Sequence, residues 1–114
     1  MLSGFFLWRE EMFTFRGNIA GKFGINAAVV AEYLYSGADG LEERELAGRT
    51  WYRCSSGRIT ADNPFLTADM VKRAVGILRD EGIIRSKRLS KGGFDHTNWY
   101  CFTEYGETLM EGGE

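Results

Sequence analysis

The segment 67–100 constrains the fold more than any other part of the chain. Apolar residues recur there at helical spacing and form one stripe, which comprises Val71, Ala74, Val75 and Leu78. Thr67 precedes this repeat as an N-cap, and Gly82 follows it as a left-handed terminator. Two strand-like stretches, 83–89 and 98–103, then flank a turn with a Gly-Gly pair. The segment therefore predicts a helix that leads into a β-hairpin.

Charge is distributed unevenly along the chain, whose net charge is only −2 over 114 residues. Residues 72–91 carry seven basic and two acidic side chains, a local charge of +5. Segregation of this kind is typical of a surface that contacts nucleic acid. A solvated edge hairpin, in which Lys and Arg prevent strand-to-strand association, is the alternative interpretation.

Several other classes of protein are disfavoured. No apolar run approaches the ~20 residues of a membrane span, and the apolar start lacks the basic residues of a signal peptide. Cys54 and Cys101 predict two reduced, half-buried thiols in a cytoplasmic protein. The single histidine, His96, lies in a glycine-flanked turn and has no clustered partners. We therefore expect no enzymatic activity, no metal and no cofactor.

The domain boundaries follow from glycine positions and apolar content. We expect an apolar N-terminal arm over 1–24 that packs on the domain or on a second copy, a domain over 25–111, and a frayed tail over 112–114. Within the arm, 12–16 alternates in the manner of a short strand.

Local signals predict the remaining elements of the domain. Asn26 is expected to cap a first helix that ends at Ser36-Gly37, and 38–50 is expected to be a connecting loop with at most one helical turn at 41–47. A short strand follows at 51–54, and Ser55 or Ser56 caps a brief helix that ends before Pro64. A last helical turn is expected over 104–110. The order of these elements predicts an α+β fold, namely a winged helix-turn-helix with a three-helix core and a small antiparallel β-sheet that forms the wing.

Five short patterns carry a family resemblance, and they are Trp51-Tyr-x-Cys-Ser55, Pro64-Phe-Leu-Thr67, Val71-Lys-Arg-Ala-Val-x-x-Leu78, Gly82-Ile-Ile84 and Gly93-Phe-Asp-x-Thr-x-Trp-Tyr100. Together with Gly24-Ile-Asn-Ala-Ala28 they resemble the N-terminal domain of phage and mobile-element replication initiators, the replisome-organiser and DnaD-like group. The resemblance covers about residues 24–103. It implies a winged helix that binds DNA, or helps to assemble replication proteins on DNA, at an origin or operator. Such initiators usually continue into a second domain. We therefore expect either one domain of a longer initiator or a small protein from a phage-derived locus.

The expected DNA-binding surface has two parts. Exposed residues near the start of the recognition helix, which is the helix predicted over 67–81, are expected to face the bases in the major groove. The basic wing over 83–100 is expected to contact phosphates or the minor groove. The residues expected to bind double-stranded DNA are Thr67, Lys72, Arg73, Arg85, Lys87, Arg88 and Lys91. Asp69 and Gly76 have no role in this interpretation. The alternative function is a winged-helix module for protein interaction without DNA contact, with residues 1–15 as the surface of a homodimer.

Overall fold

Two antiparallel sheets and five helices make up the part of the chain that the computed structural model describes, residues 3–9, 11–36, 40–88 and 97–111. The fold of these residues is therefore α+β. In chain order the elements are β1 (Ser3–Trp8), β2 (Glu11–Arg16), α1 (Gly17–Phe23), α2 (Ile25–Ser36), β3 (Glu42–Leu46), β4 (Arg49–Arg53), α3 (Ser56–Asp62), α4 (Ala68–Asp80), β5 (Ile84–Lys87), β6 (Trp99–Phe102) and α5 (Glu104–Met110).

The core forms around α2, whose residues 27–31 are all buried. The alanines of this run allow α1 and α4 to approach closely, and β2 packs on the same helix. The stripe predicted for α4 is confirmed, because Val71, Ala74, Val75 and Leu78 are all buried. Burying each large aliphatic side chain stabilises the fold by roughly 1.5–3 kcal/mol. The packing of α4 therefore fixes which of its sides remains exposed.

Side-chain caps begin two of the helices where the sequence predicts them. Thr67 Oγ1 accepts a hydrogen bond from the Met70 backbone N–H (3.2 Å) at the start of α4. Ser55, the first of the two predicted candidates, caps α3 through the Arg58 N–H (3.0 Å). The predicted cap at Asn26 is wrong. Gly24, with φ of +93°, separates α1 from α2, so Asn26 already lies in the first turn of α2.

The connecting loop predicted for 38–50, with its optional helical turn, is wrong for the described residues 42–50. Strands β3 and β4 form a hairpin there, joined by Ala47 and Gly48, which both have positive φ (52° and 79°). A two-residue turn with this geometry matches the right-handed twist of the flanking strands. All five residues of β3 are exposed. The strand consequently lacks the apolar alternation by which sequence patterns reveal strands.

The larger sheet has the strand order β3-β4-β6-β5. The strand predicted at 51–54 is confirmed by β4, which pairs with β6, since Tyr52 lies opposite Tyr100 and Arg53 lies opposite Trp99. Trp99 and Tyr100, which are adjacent in β6, face opposite sides of the sheet. Tyr100 joins the main core, whereas Trp99 forms a second buried cluster with Trp51 and Cys101.

The N-terminal hairpin of β1 and β2 packs on the turn between α3 and α4. The ring centroids of Phe6 and Phe13 lie 4.9 and 4.7 Å from that of Phe65, both in edge-to-face geometry. The strand predicted at 12–16 is confirmed by β2, whereas sequence reasoning did not anticipate β1 and α1. The predicted terminator Gly37, residues 90–96 of the turn predicted over 90–97, and the tail over 112–114 lie outside the described residues.

Helix α5 and its capping residue pack against the junction between α4 and β5 and form hydrogen bonds with it. Thr103 caps α5 by accepting from the Gly106 N–H (2.9 Å), and its backbone N–H donates to the carbonyl oxygen of Ile83 (3.0 Å). Gly82, between α4 and this carbonyl, has φ of +77°, which confirms it as the left-handed terminator. Gly106 itself lies so close to Ile83 that an added methyl group would overlap the Ile83 carbonyl oxygen.

Replacing Gly106 with Ala should therefore destabilise the protein by about 2–3 kcal/mol, because the backbone at Ile83, just before β5, must move to admit the methyl group. Urea unfolding followed by circular dichroism measures this loss. Gly57→Ala is the matched control, since its added methyl group makes only an ordinary contact, 3.9 Å from Ser55 Oγ. Equal stabilities of the two variants would contradict the packing described for α5.

Candidate nucleic-acid interface

The exposed side of α4 has two flanks. Two residues that are seven positions apart in a helix point in directions that differ by only about 20°. Lys72 and Arg79 therefore lie on one flank of α4, about 10 Å apart along its axis. Arg73 lies on the other flank, where it lines a groove of about 330 Å³ together with Met70 and residues of the α1–α2 junction. The two basic residues predicted on α4 are therefore both exposed, but they face different flanks.

A basic groove of about 770 Å³ runs beside β5. Arg79, Arg85, Lys87 and Arg49 line it, whereas Glu104 is the single acidic residue among its lining residues. The Arg79 guanidinium spans the space between α4 and β5 and donates a long hydrogen bond to Ser86 Oγ (3.5 Å). The groove thus brings the wing residues Arg85 and Lys87 together with the basic flank of α4.

Aromatic rings support two of the cations on the outer face of the sheet. Lys87 Nζ lies 5.0 Å from the ring centre of Trp51, and the Arg44 guanidinium lies 4.9 Å from that of Trp99. Cation–π contacts of this kind are attractive by about 0.5–1 kcal/mol at exposed sites. Both tryptophans are buried, so each ring holds its cation at a fixed place on the sheet.

The basic residues of the predicted DNA-binding set that the structure describes are not paired with acidic groups there. Within the described residues, neither the α4 cations Lys72 and Arg73 nor the β5-side cations (Arg85, Lys87 and Arg88) form a salt bridge. The acidic groups that do pair contact other cations, since Glu32 pairs with Arg16, Glu107 with Arg49 and Asp62 with Arg58. A chain with net negative charge therefore retains a locally positive surface.

Thr67 and Asp69 both stabilise the start of α4. The Thr67 hydroxyl accepts the capping hydrogen bond, and Asp69 occupies the first turn, where a negative charge interacts favourably with the helix dipole. Both side chains are exposed. Each therefore has a structural role that does not depend on a ligand. Lys91 lies outside the described residues.

Sequence reasoning missed three basic residues of this region, namely Arg44, Arg49 and Arg79. Arg79 had a detectable signal, because it follows Lys72 by seven residues on the same helix. Arg44 and Arg49 had none, because they lie on the hairpin that was predicted to be a loop. Arg49 also has a structural role, as it donates to the Phe102 carbonyl oxygen (2.9 Å) and pairs with Glu107 (3.1 Å).

The two thiols are more deeply buried than the half-buried state predicted for them. Both cysteines are free and buried. Burial raises the pKa of Cys54 to about 11 and also raises the pKa of Cys101, against the opposing effect of Arg49, Arg85 and Lys87. Among the described residues, metal-ligating side chains do not gather in groups of three or more. None of the described helices has the length and apolar character needed to cross a bilayer.

Alkylation of Cys54 should consequently be slow in the folded protein. With a pKa of about 11 instead of 9.0, the thiolate fraction at pH 8 falls roughly 100-fold, and the rate should rise about tenfold per pH unit up to pH ~11. Mass spectrometry after iodoacetamide treatment of Cys101→Ala measures this rate. The same variant in urea is the control, and equal rates in the two states would contradict the burial of Cys54.

No protein-family model matches the sequence, and no curated protein or solved structure is significantly similar to the chain. A function must therefore be argued from the fold and from the basic surface of α4 and β5.

Proposed function

We propose that this chain is a winged helix-turn-helix protein that binds double-stranded DNA, with α4 as the recognition helix and β5–β6 as the wing. The observation that carries the proposal is the run of cations that form no salt bridge among the described residues and extend from Lys72 and Arg79 on α4 to Arg85 and Lys87 beside β5. A duplex offers two strands of regularly spaced phosphates, which are the natural partner of such a run.

The order of elements supports this reading of the fold. Helix α2, strand β4, helices α3 and α4, and the paired strands β5 and β6 follow one another as expected of a winged helix, and β4 pairs with β6 of the hairpin. In this arrangement the exposed start of α4 enters the major groove and the basic groove beside β5 lies against the sugar-phosphate backbone. Arg73 is the basic side chain that reaches the bases, because it lies on the flank of α4 away from β5.

The biological setting we propose is replication initiation, or its regulation, for a phage-like or mobile element in the cytoplasm. This part of the proposal rests on the family resemblance of the sequence patterns. Replication proteins are the partners that such a role implies.

Duplex binding should depend strongly on salt, with a slope of roughly −4 to −5 in log affinity against log salt if four to six cations contact phosphates. Fluorescence anisotropy with a mixed-sequence duplex of about 30 base pairs measures this slope. Removing two phosphate contacts in Arg85→Ala/Lys87→Ala should reduce it by about 2.

Arg9→Ala/Lys22→Ala removes the same charge from exposed positions on the N-terminal hairpin and α1, and it should leave the slope unchanged. The DNA proposal is abandoned if wild-type binding changes by less than one log unit per log unit of salt, or if both double variants lose affinity equally.

A second candidate function, homodimerisation, is favoured by the outer face of the N-terminal hairpin. Phe5 and Leu7 are 65% and 68% exposed, although the neighbouring Phe6 and Trp8 pack against the domain. Adjacent exposed apolar side chains on one strand are typical of an interaction surface. We propose that a second copy covers this face, so that residues 1–15 form the dimer surface.

If that surface forms the dimer, Phe5→Thr/Leu7→Thr should convert a dimer into a monomer of 12.9 kDa in sedimentation equilibrium. Threonine preserves the strand while removing most of the apolar contact area. Ile25→Thr/Leu46→Thr is the control, because it alters exposed apolar residues outside the hairpin. A wild-type chain that sediments as a monomer at every concentration would exclude the dimer.

A further inference from the structure

Gly76 is an unfavourable residue for its place in the fold. It lies in the interior of α4, where glycine is the poorest helix former apart from proline. Its backbone is helical, and a methyl group added there would meet no atom within 4 Å. The glycines at 82 and 106 have a visible reason, namely the positive φ of Gly82 and the close approach of Gly106 to Ile83, whereas Gly21 in α1 resembles Gly76 in having none. Nothing within the described fold requires a glycine at position 76.

Three of the four residues that lie three or four positions from Gly76 in α4 are basic, and the fourth is Asp80. Lys72 precedes Gly76 by four residues and Arg79 follows it by three, so helical geometry places all three on the same flank of α4. Arg73, three residues before, borders this flank. Arg79 also contacts Ser86 of β5, which joins the flank to the basic groove. Gly76 is therefore a position without a side chain between two cations that have no salt bridge within the described part of the chain.

We infer that one sugar-phosphate strand of the bound duplex crosses α4 at Gly76 and contacts the helix backbone between Lys72 and Arg79. This inference rests on the proposed duplex binding and specifies how the duplex lies. Glycine permits a ligand to approach a backbone more closely than any other residue does. With the strand against Gly76, Lys72 and Arg79 reach phosphates on either side of the crossing point.

The crossing point also orients α4 in the groove. One strand lies on the flank that faces β5, where Arg85 and Lys87 extend the same phosphate contacts. The opposite flank, with Met70 and Arg73, is then turned toward the base edges. The bound duplex, and not the fold, thus accounts for the presence of a destabilising glycine in the middle of α4.

The test compares Gly76→Ala with Gly21→Ala. Gly21 lies in α1, and a methyl group added there likewise meets no atom within 4 Å. Both variants should raise the melting temperature of the free protein by about 3–6 °C, because alanine replaces a helical glycine. Only Gly76→Ala should weaken binding to a mixed-sequence duplex, by about tenfold or more, as expected when close backbone contacts are lost.

The outcomes separate the inference from the proposed function. If the wild-type chain binds the duplex and Gly76→Ala binds equally well, the inference is overturned while the function stands. If the wild-type chain shows no binding at low salt, both fall. A lower melting temperature for Gly76→Ala than for wild type also overturns the inference, because the fold itself would then require the glycine.

Discussion

The packing of α4 on α2 is the contact on which the rest of the structure depends. The buried run 27–31 of α2 presents small and β-branched side chains, and the stripe of α4 from Val71 to Leu78 fits against it. Because this contact fixes the rotation of α4 about its own axis, it determines that Arg79, which shares a flank with Lys72, faces β5 while Arg73 faces the α1–α2 junction. The electrostatic character of the surface is in this sense a consequence of apolar packing.

The separation of charge also depends on where the acidic residues are placed. Glu32, Asp62 and Glu107 each pair with an arginine that joins two elements or stabilises a helix, and none of these three arginines belongs to the predicted DNA-binding set. Surface pairs of this type contribute little stability individually. Glu32 and Asp62 are paired with cations outside the groove beside β5, and only Glu107 pairs with an arginine that lines it, so that a chain with a net charge of −2 still has a basic face.

Elements defined by local chemistry were predictable from the sequence, whereas those defined by tertiary pairing were not. Thr67 and Ser55 cap the helices expected of them because a capping hydrogen bond involves only residues three positions apart. The β3 strand escaped prediction because its side chains are exposed and its identity comes from pairing with β4. The same limit applies to the candidate site. Spacing alone relates Arg79 to Lys72, but only the folded hairpin brings Arg44 and Arg49 to the sheet that carries Arg85 and Lys87.

The attachment of α5 has a consequence for how the proposed interface is encoded. Thr103 donates hydrogen bonds to the carbonyl oxygens of Gly82 and Ile83, and Gly106 rests against Ile83, so the joint between α4 and β5 is held from outside the segment that contains both. The angle between α4 and β5 is therefore not determined by the residues of α4 and β5 alone. It also depends on α5 and on the residue that caps it. Substitutions at Thr103 or Gly106 can therefore change the orientation of the α4 cations relative to the β5 cations without altering any of these charges.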